Sequence, residues 1–203
     1  MLVTRHGRTP VVHAEAIVAS TATIVGDVTI GARCFIGHGA VIESGGPPVT
    51  IDDECVVLTN AVVRSVGGTH RPGFPVRIGR RTLIGPACVL TGCEVGSACY
   101  VATGVLLFHG AKVGDGARLA VGSIVHHHAV VPPHGRLGLR EIAIATDGST
   151  TYTSDIARAH ALLGGSDFFG RVFEQSTDDQ DALHDRVMSQ LLHEVLEYGE
   201  HVV

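Results

Sequence analysis

A left-handed parallel β-helix of about six coils, mainly β and followed by C-terminal α-helices, is the fold this sequence predicts. Three observations predict it. An aliphatic residue recurs every six positions, a small or β-branched residue sits two positions before it, and glycine often follows it.

The aliphatic series opens with Val18, Ile24, Ile30, Ile36 and Ile42, and continues with Ile51, Val57 and Val63, then Ile78, Ile84 and Leu90. It slips by one residue and resumes at Val95, Val101, Leu107, Val113, Leu119, Val125 and Val131. Such a period fits a triangular prism whose sides are short strands, with successive coils paired in parallel at about 4.8 Å. Eighteen such positions make six coils, each burying its aliphatic face against the next. The preceding slot holds Ala22, Val28, Ala40, Val49, Ala61, Thr82, Ala111 and Ala117, and also all five cysteines, Cys34, Cys55, Cys88, Cys93 and Cys99. Identical placement makes the thiols small hydrophobes filling a narrow interior rather than ligands or nucleophiles, and no CxxC pair exists. Gly31, Gly37, Gly79, Gly85, Gly96 and Gly114 are expected at corners needing unusual backbone angles.

Two interruptions read as loops: Glu43 to Thr50, and Arg64 to Val76 with its Pro72-Gly73-Phe74-Pro75 run. Past Pro132-Pro133 the pattern stops. Leu137 to Thr146 reads as extended and Ser154 to Leu163 as a short helix. Thr177-Asp178-Asp179-Gln180 has the form of a capping box, opening a helix with Leu183, Val187, Leu191, Leu192, Val195 and Leu196 on one face. The expected division is residues 11–138 for the β-helix and 139–203 for an extension whose helices pack on the prism or on a neighbouring subunit.

The net charge is −5, and fourteen Arg and one Lys are scattered, which argues against a nucleic-acid partner. Met1 to Pro10 has no apolar core of a signal segment, and no run of eighteen apolar residues occurs. A cytoplasmic protein without a membrane partner is expected.

Over roughly residues 11–138 the chain resembles the gamma-class carbonic anhydrases. The resemblance is carried by the hexads, by Gly73-Phe74-Pro75-Val76-Arg77-Ile78-Gly79, by Ile84-Gly85 with Gly92-Cys93, and by the closing Val131-Pro132-Pro133. It implies a homotrimer with zinc at each subunit interface, held by three histidines from two subunits, whose bound hydroxide attacks carbon dioxide. Carried onto this sequence, the three ligand positions hold Arg64, Pro86 and Thr91, none of which binds zinc as His does. The supporting Arg, Asp and Gln of the family fall on Glu43, Gly45 and Leu58. Carbonic anhydrase activity is therefore not expected at the usual site, and no cofactor is expected; zinc would need ligands the family does not use.

The register stacks Ile42, Val63, Leu90, Leu107 and Val125 on one side of the prism, and Ile36, Val57, Ile84, Val101 and Leu119 on another. If trimerisation apposes these sides, one subunit offers Glu43, Arg64, Thr91, Phe108 and His126, and its neighbour His38, Thr59, Pro86 and Thr103. A His38–Glu43–Arg64 cluster is expected to replace the metal, with Arg64 binding an anionic group and Glu43 and His38 exchanging a proton. The competing reading of the same cluster is a salt bridge that fixes trimer register. His70, Thr59, Thr91 and Thr103 are candidate substrate contacts. His126-His127-His128 reads as a solvated turn and His109 as surface. The leading function is a repurposed trimer that binds or converts a small anionic or carbonyl-bearing molecule at the interface. The alternatives are an acyl-CoA-dependent acyltransferase and a noncatalytic scaffold.

Overall fold

The structure is a computed structural model and describes residues 1–68, 71–164, 167–177 and 179–198. Among these, the strands form three sheets, the faces of a prism. One face stacks Leu2–Val3, Thr23–Val25, Val41–Gly45, Val62–Val66, Val89–Thr91, Leu106–Leu107, Ile124–Val125 and Ile142–Thr146. Ser149–Thr153 closes this face by pairing antiparallel with Ile142–Thr146. A second face runs from Val11–Val12 to Val130–Val131, and a third from Ile17–Val18 to Arg136–Leu137. Every other strand pair is parallel, which is the expected β-helix.

The coils are more numerous than the hexads indicate, about eight rather than six. The extra ones lie at the ends, where Leu2–Val3 and Val11–Val12 pair with Thr23–Val25 and Val28–Ile30, and Ile142–Thr146 pairs with Ile124–Val125. An end coil has a neighbour on one side only, so strict aliphatic spacing is least required there.

Of the eighteen aliphatic positions, all but Val18 are fully or almost fully buried, and Val18 packs half-buried in the first coil. The slot before them is equally buried, cysteines included. Parallel pairing joins Ile42, Val63, Leu90, Leu107 and Val125 in one column, and Ile36, Val57, Ile84, Val101 and Leu119 in another.

Glycine at the corners has a different cause from the expected one. Gly79 and Gly85 keep ordinary negative φ, but a Cβ on Gly85 would lie 2.6 Å from the Ala102 carbonyl carbon, and one on Gly79 2.7 Å from that of Gly96. These residues are glycine because the coil beneath runs against them. Left-handed angles fall two residues later, on Arg81 and Ala87 among others (φ 57° and 54°).

The two loops are shorter than expected because the strands run on into them. Val41–Gly45 and Val62–Val66 pair residue for residue, so Glu43 opposes Arg64 on a ladder rather than in a loop. Ser44 and Ser65, both buried, donate to the Pro47 carbonyl and tie down the turn that follows. Beyond Val66 the chain doubles back, with the Phe74 N–H on the Val66 carbonyl at 2.8 Å.

Three helices follow the strands: α1 (Ile156–Gly164), α2 (Phe168–Phe173) and α3 (Gln180–Tyr198). The short α2 is not apparent in the sequence pattern; Asp167 caps it by accepting from the Gly170 N–H. Asp179 rather than Thr177 caps α3, accepting from the Asp181 and Ala182 N–H groups at 3.1 Å. Asp178, in the expected capping box, lies outside the described residues. Leu183 and Val187 of α3 join Val172 and Phe173 of α2 over Val66 and Phe74, so both helices dock on the long loop of the prism. Leu192 points to solvent instead. Among the described residues no helix is long and apolar enough to cross a membrane.

Candidate functional site

Glu43 stands at the centre of a charged constellation that joins the first coil to the third and fourth. Its position on the Val41–Gly45 strand brings Arg64 alongside, with Nε of Arg64 3.6 Å from Oε2 of Glu43. Its other oxygen accepts from Nη1 of Arg5, in the first coil. One carboxylate therefore bridges two guanidinium groups. Thr91 follows Arg64 on the next coil of the same ladder. Phe108 and His126 come after it, their rings stacked at 5.3 Å.

His38, Thr59, Pro86 and Thr103 form a second stack, one per coil, at the corner after the third face. Backbone bonds join His38 to Asn60, Thr59 to Ala87, Pro86 to Gly104 and Thr103 to Gly122, all within 2.9–3.0 Å. His38 is exposed and has Nδ1 2.9 Å from the Thr21 hydroxyl, so within one chain it belongs to the neighbouring corner rather than to Glu43. His70 lies outside the described residues.

Three family zinc positions are thus occupied by an ion-paired guanidinium, a proline and a threonine, a donor set that does not fit zinc. Among the described residues no group of three or more His, Cys, Asp or Glu side chains is arranged to hold a metal.

Arg5 is the site residue that sequence reasoning missed. It lies before the first hexad, in a turn where its N–H and carbonyl exchange hydrogen bonds of 3.0 and 2.9 Å with Arg8. His6 and Gly7 take left-handed angles, φ 49° and 69°, to close that turn. The available signal was the basic Arg5-His6-Gly7-Arg8 stretch itself. The turn overhangs the corners at Gly26-Asp27, Ser44 to Pro47 and Gly67-Gly68, and with them lines a cavity of about 510 Å³.

A second cluster corrects two expectations. His127 is 1 % exposed rather than in a solvated turn, and His109 is half-buried. Helix α2 is the cause, because Phe168 packs edge-on against both rings, at 5.4 Å from His127 and 6.0 Å from His109. Nδ1 of His127 lies 2.6 Å from Nδ1 of His126. Burial pushes the His109 and His127 imidazoles down to about 4, reinforced by neighbouring cationic groups, Arg71 for His109 and the adjacent histidines for His127. His126 and His128 are lowered by burial as well. Burial pushes the Cys88, Cys93 and Cys99 thiols up, whereas a hydrogen bond with the neighbouring Cys55 thiol lowers Cys34.

Comparison with known proteins places this geometry. A family model described as the hexapeptide repeat of succinyl-transferase matches residues 27–65 and 75–109. The chain is 28% identical over 198 residues to gamma carbonic anhydrase 1, mitochondrial, of Arabidopsis thaliana, covering 91% of this chain and 71% of that protein. It is 33% identical over 98 residues to gamma carbonic anhydrase 3, mitochondrial, of the same plant, covering 47% of this chain and 38% of the relative. Among solved structures, a putative acetyltransferase from Bacillus cereus superposes with a TM-score of 0.62 at 20% identity, covering 98% of this chain and 96% of that one. A hexapeptide transferase family protein from Anaplasma phagocytophilum gives 0.58 at 21% identity, with 98% of each chain covered. At those identities the two structures show a shared fold.

Proposed function

We propose that this chain, which is similar to the gamma carbonic anhydrases but holds Arg64, Pro86 and Thr91 where that resemblance places zinc-binding histidines, acts as a homotrimer binding or converting a small anionic or carbonyl-bearing molecule at the subunit interface. The observation that carries the reading is the Glu43–Arg64 pair, set by strand register at the corner where the family holds its metal.

Two faces of the prism support the assembly. Outward on one are Val41, Val62, Val89, Leu106 and Ile124, and on another Ile17, Phe35, Val56, Leu83 and Tyr100, with Arg118 and Arg136 on the last two coils of that column, each aligned coil to coil. The remaining face presents Thr29, Thr50, Arg77, Glu94 and Lys112 in the same register. Over these coils two faces are apolar and one is polar, a pattern suited to partners on two sides, as threefold assembly requires. In that arrangement His38 of the adjacent subunit approaches Glu43, Arg64 takes the anionic group, and Thr91, Thr59 and Thr103 line the approach. Glu43 and His38 then form the proton-exchanging pair. Five free, buried thiols fit a reducing compartment, in keeping with the cytoplasm.

Replacing Arg64 by Ala is the test. The expected result is a variant that sediments like the parent and no longer binds small carboxylates or carbonyl compounds in a ligand-observed NMR screen. An Arg64→Ala protein with the parent's assembly and unchanged binding would leave the pair a structural bridge. The same screen with CoA separates the acyl-transfer reading, and failure of every compound to bind favours the scaffold.

A further inference from the structure

The N-terminal coil brings a charge to this site that no hexad position supplies. Around the cavity of about 510 Å³ stand Arg5 and Arg8 from the first turn, Asp27 from the second coil, and Ser44 leading to Gly46 and Pro47 from the third. A space of this size is in the range that small ligands occupy. Arg8 faces Asp27 at 4.0 Å with both side chains open to solvent, so these two roughly offset each other. Arg5 and Arg64 share the one carboxylate of Glu43. Three cations against two anions leave one positive charge in excess.

Arg64 is half exposed, whereas the Arg5 and Glu43 side chains are only 24 % and 21 % exposed, so the share of that excess on Arg5 is the less screened by water. Each guanidinium has five N–H donors in a planar fork, and Glu43 engages Nη1 of Arg5 and Nε of Arg64. Donors therefore remain on both groups, and Arg5 belongs to the cavity wall. A planar, singly charged acceptor with two oxygens matches both the charge and the fork.

We infer that the cavity beneath the Arg5–Arg8 turn binds a small organic monocarboxylate, held by Arg5, while Arg64 shares the Glu43 carboxylate from outside the cavity wall. This rests on reading Glu43 and Arg64 as a ligand site and narrows the ligand to one chemical class. It also places the ligand against the chain's own first coil. Glu43 competes for the Arg5 guanidinium, so it sets the affinity from inside the protein.

Saturation-transfer NMR on the full chain with propionate at low ionic strength tests the inference, with inorganic phosphate as the comparison anion. Propionate is expected to bind, Arg5→Ala to weaken it by at least about tenfold, as loss of a charge-assisted hydrogen-bonding partner does, and Lys112→Ala, which removes a cation from the remaining face of the prism, to leave it unchanged. Glu43→Gln is expected to strengthen it several-fold, since it removes the internal competitor and keeps both cations. Glu43→Gln also guards against a trivial loss through the first coil coming apart, because it breaks the same ion pair. If loosening of that coil were the cause, Glu43→Gln would weaken binding as Arg5→Ala does, and the inference would fall. Propionate binding that survives Arg5→Ala overturns it as well. Dependence on His38 and Arg64 without dependence on Arg5 would retain the interface reading and remove this one. Phosphate binding as tightly as propionate would refute the monocarboxylate class.

Discussion

His127 is the residue whose surroundings differ most from what its neighbours in sequence imply. A His-His-His run reads as a wet corner, yet the middle ring is enclosed by His126, His128, His109 and Phe168, with Arg171 of α2 nearby. The imidazole's value near 4 in the folded chain lies below the 6.5 of an unperturbed group. On acidification the unfolded chain takes up the proton first. Stability from the neutral ring is therefore complete above about pH 6.5, declines as pH falls, and is gone below about 4, with about 2 kcal/mol lost by pH 5. His109 adds a loss of the same sign. The thermal midpoint should drop between pH 7 and pH 5, and His127→Phe, which keeps a ring and removes the titration, should flatten that drop. A parent protein equally stable at both values would show that the ring gains no protons on unfolding.

A single coil depends on the narrowness of its interior. Leu90 is completely buried between Val63 and Leu107, so Leu90→Ala leaves a hole that a rigid stack of short strands fills poorly. A loss of about 2–5 kcal/mol is expected, read as a lower urea midpoint. Gly85→Val should cost at least as much from the opposite direction, since its side chain would be driven into the Ala102–Thr103 backbone. A Gly85→Val protein with the parent's midpoint would mean that the coils separate more easily than the 2.6 Å approach allows. The hexads reveal these elements because inward side chains repeat locally. They do not reveal that Val41–Gly45 and Val62–Val66 extend past the corner, which follows from Ser44 and Ser65 bonding to Pro47.

Two flanks of the prism carry rows of outward apolar side chains. Tyr100 is 52 % exposed and stacks on Leu83 along one of them. Replacing Leu83 and Tyr100 together by Glu places like charges one coil apart on that flank. Sedimentation is expected to show trimers for the parent and monomers for the double variant, with the β-rich circular dichroism of the parent retained. A parent that sediments as a monomer would remove the interface on which His38 is required to meet Glu43.

What the sequence determined by itself is the prism: which side chains point inward and which columns they form. A six-residue period can say this because each strand's direction is fixed by its own few residues and repeated by the next coil. The tertiary structure alone decided that Arg5 reaches Glu43, that α2 covers His127 and His109, and that the coils continue beyond the regular hexads at both ends. The Arg5–Glu43 contact joins residues 38 apart, and the others depend on a capped helix, a closing hairpin or a first coil without the regular hexads, so no local spacing encodes where such pieces come to rest.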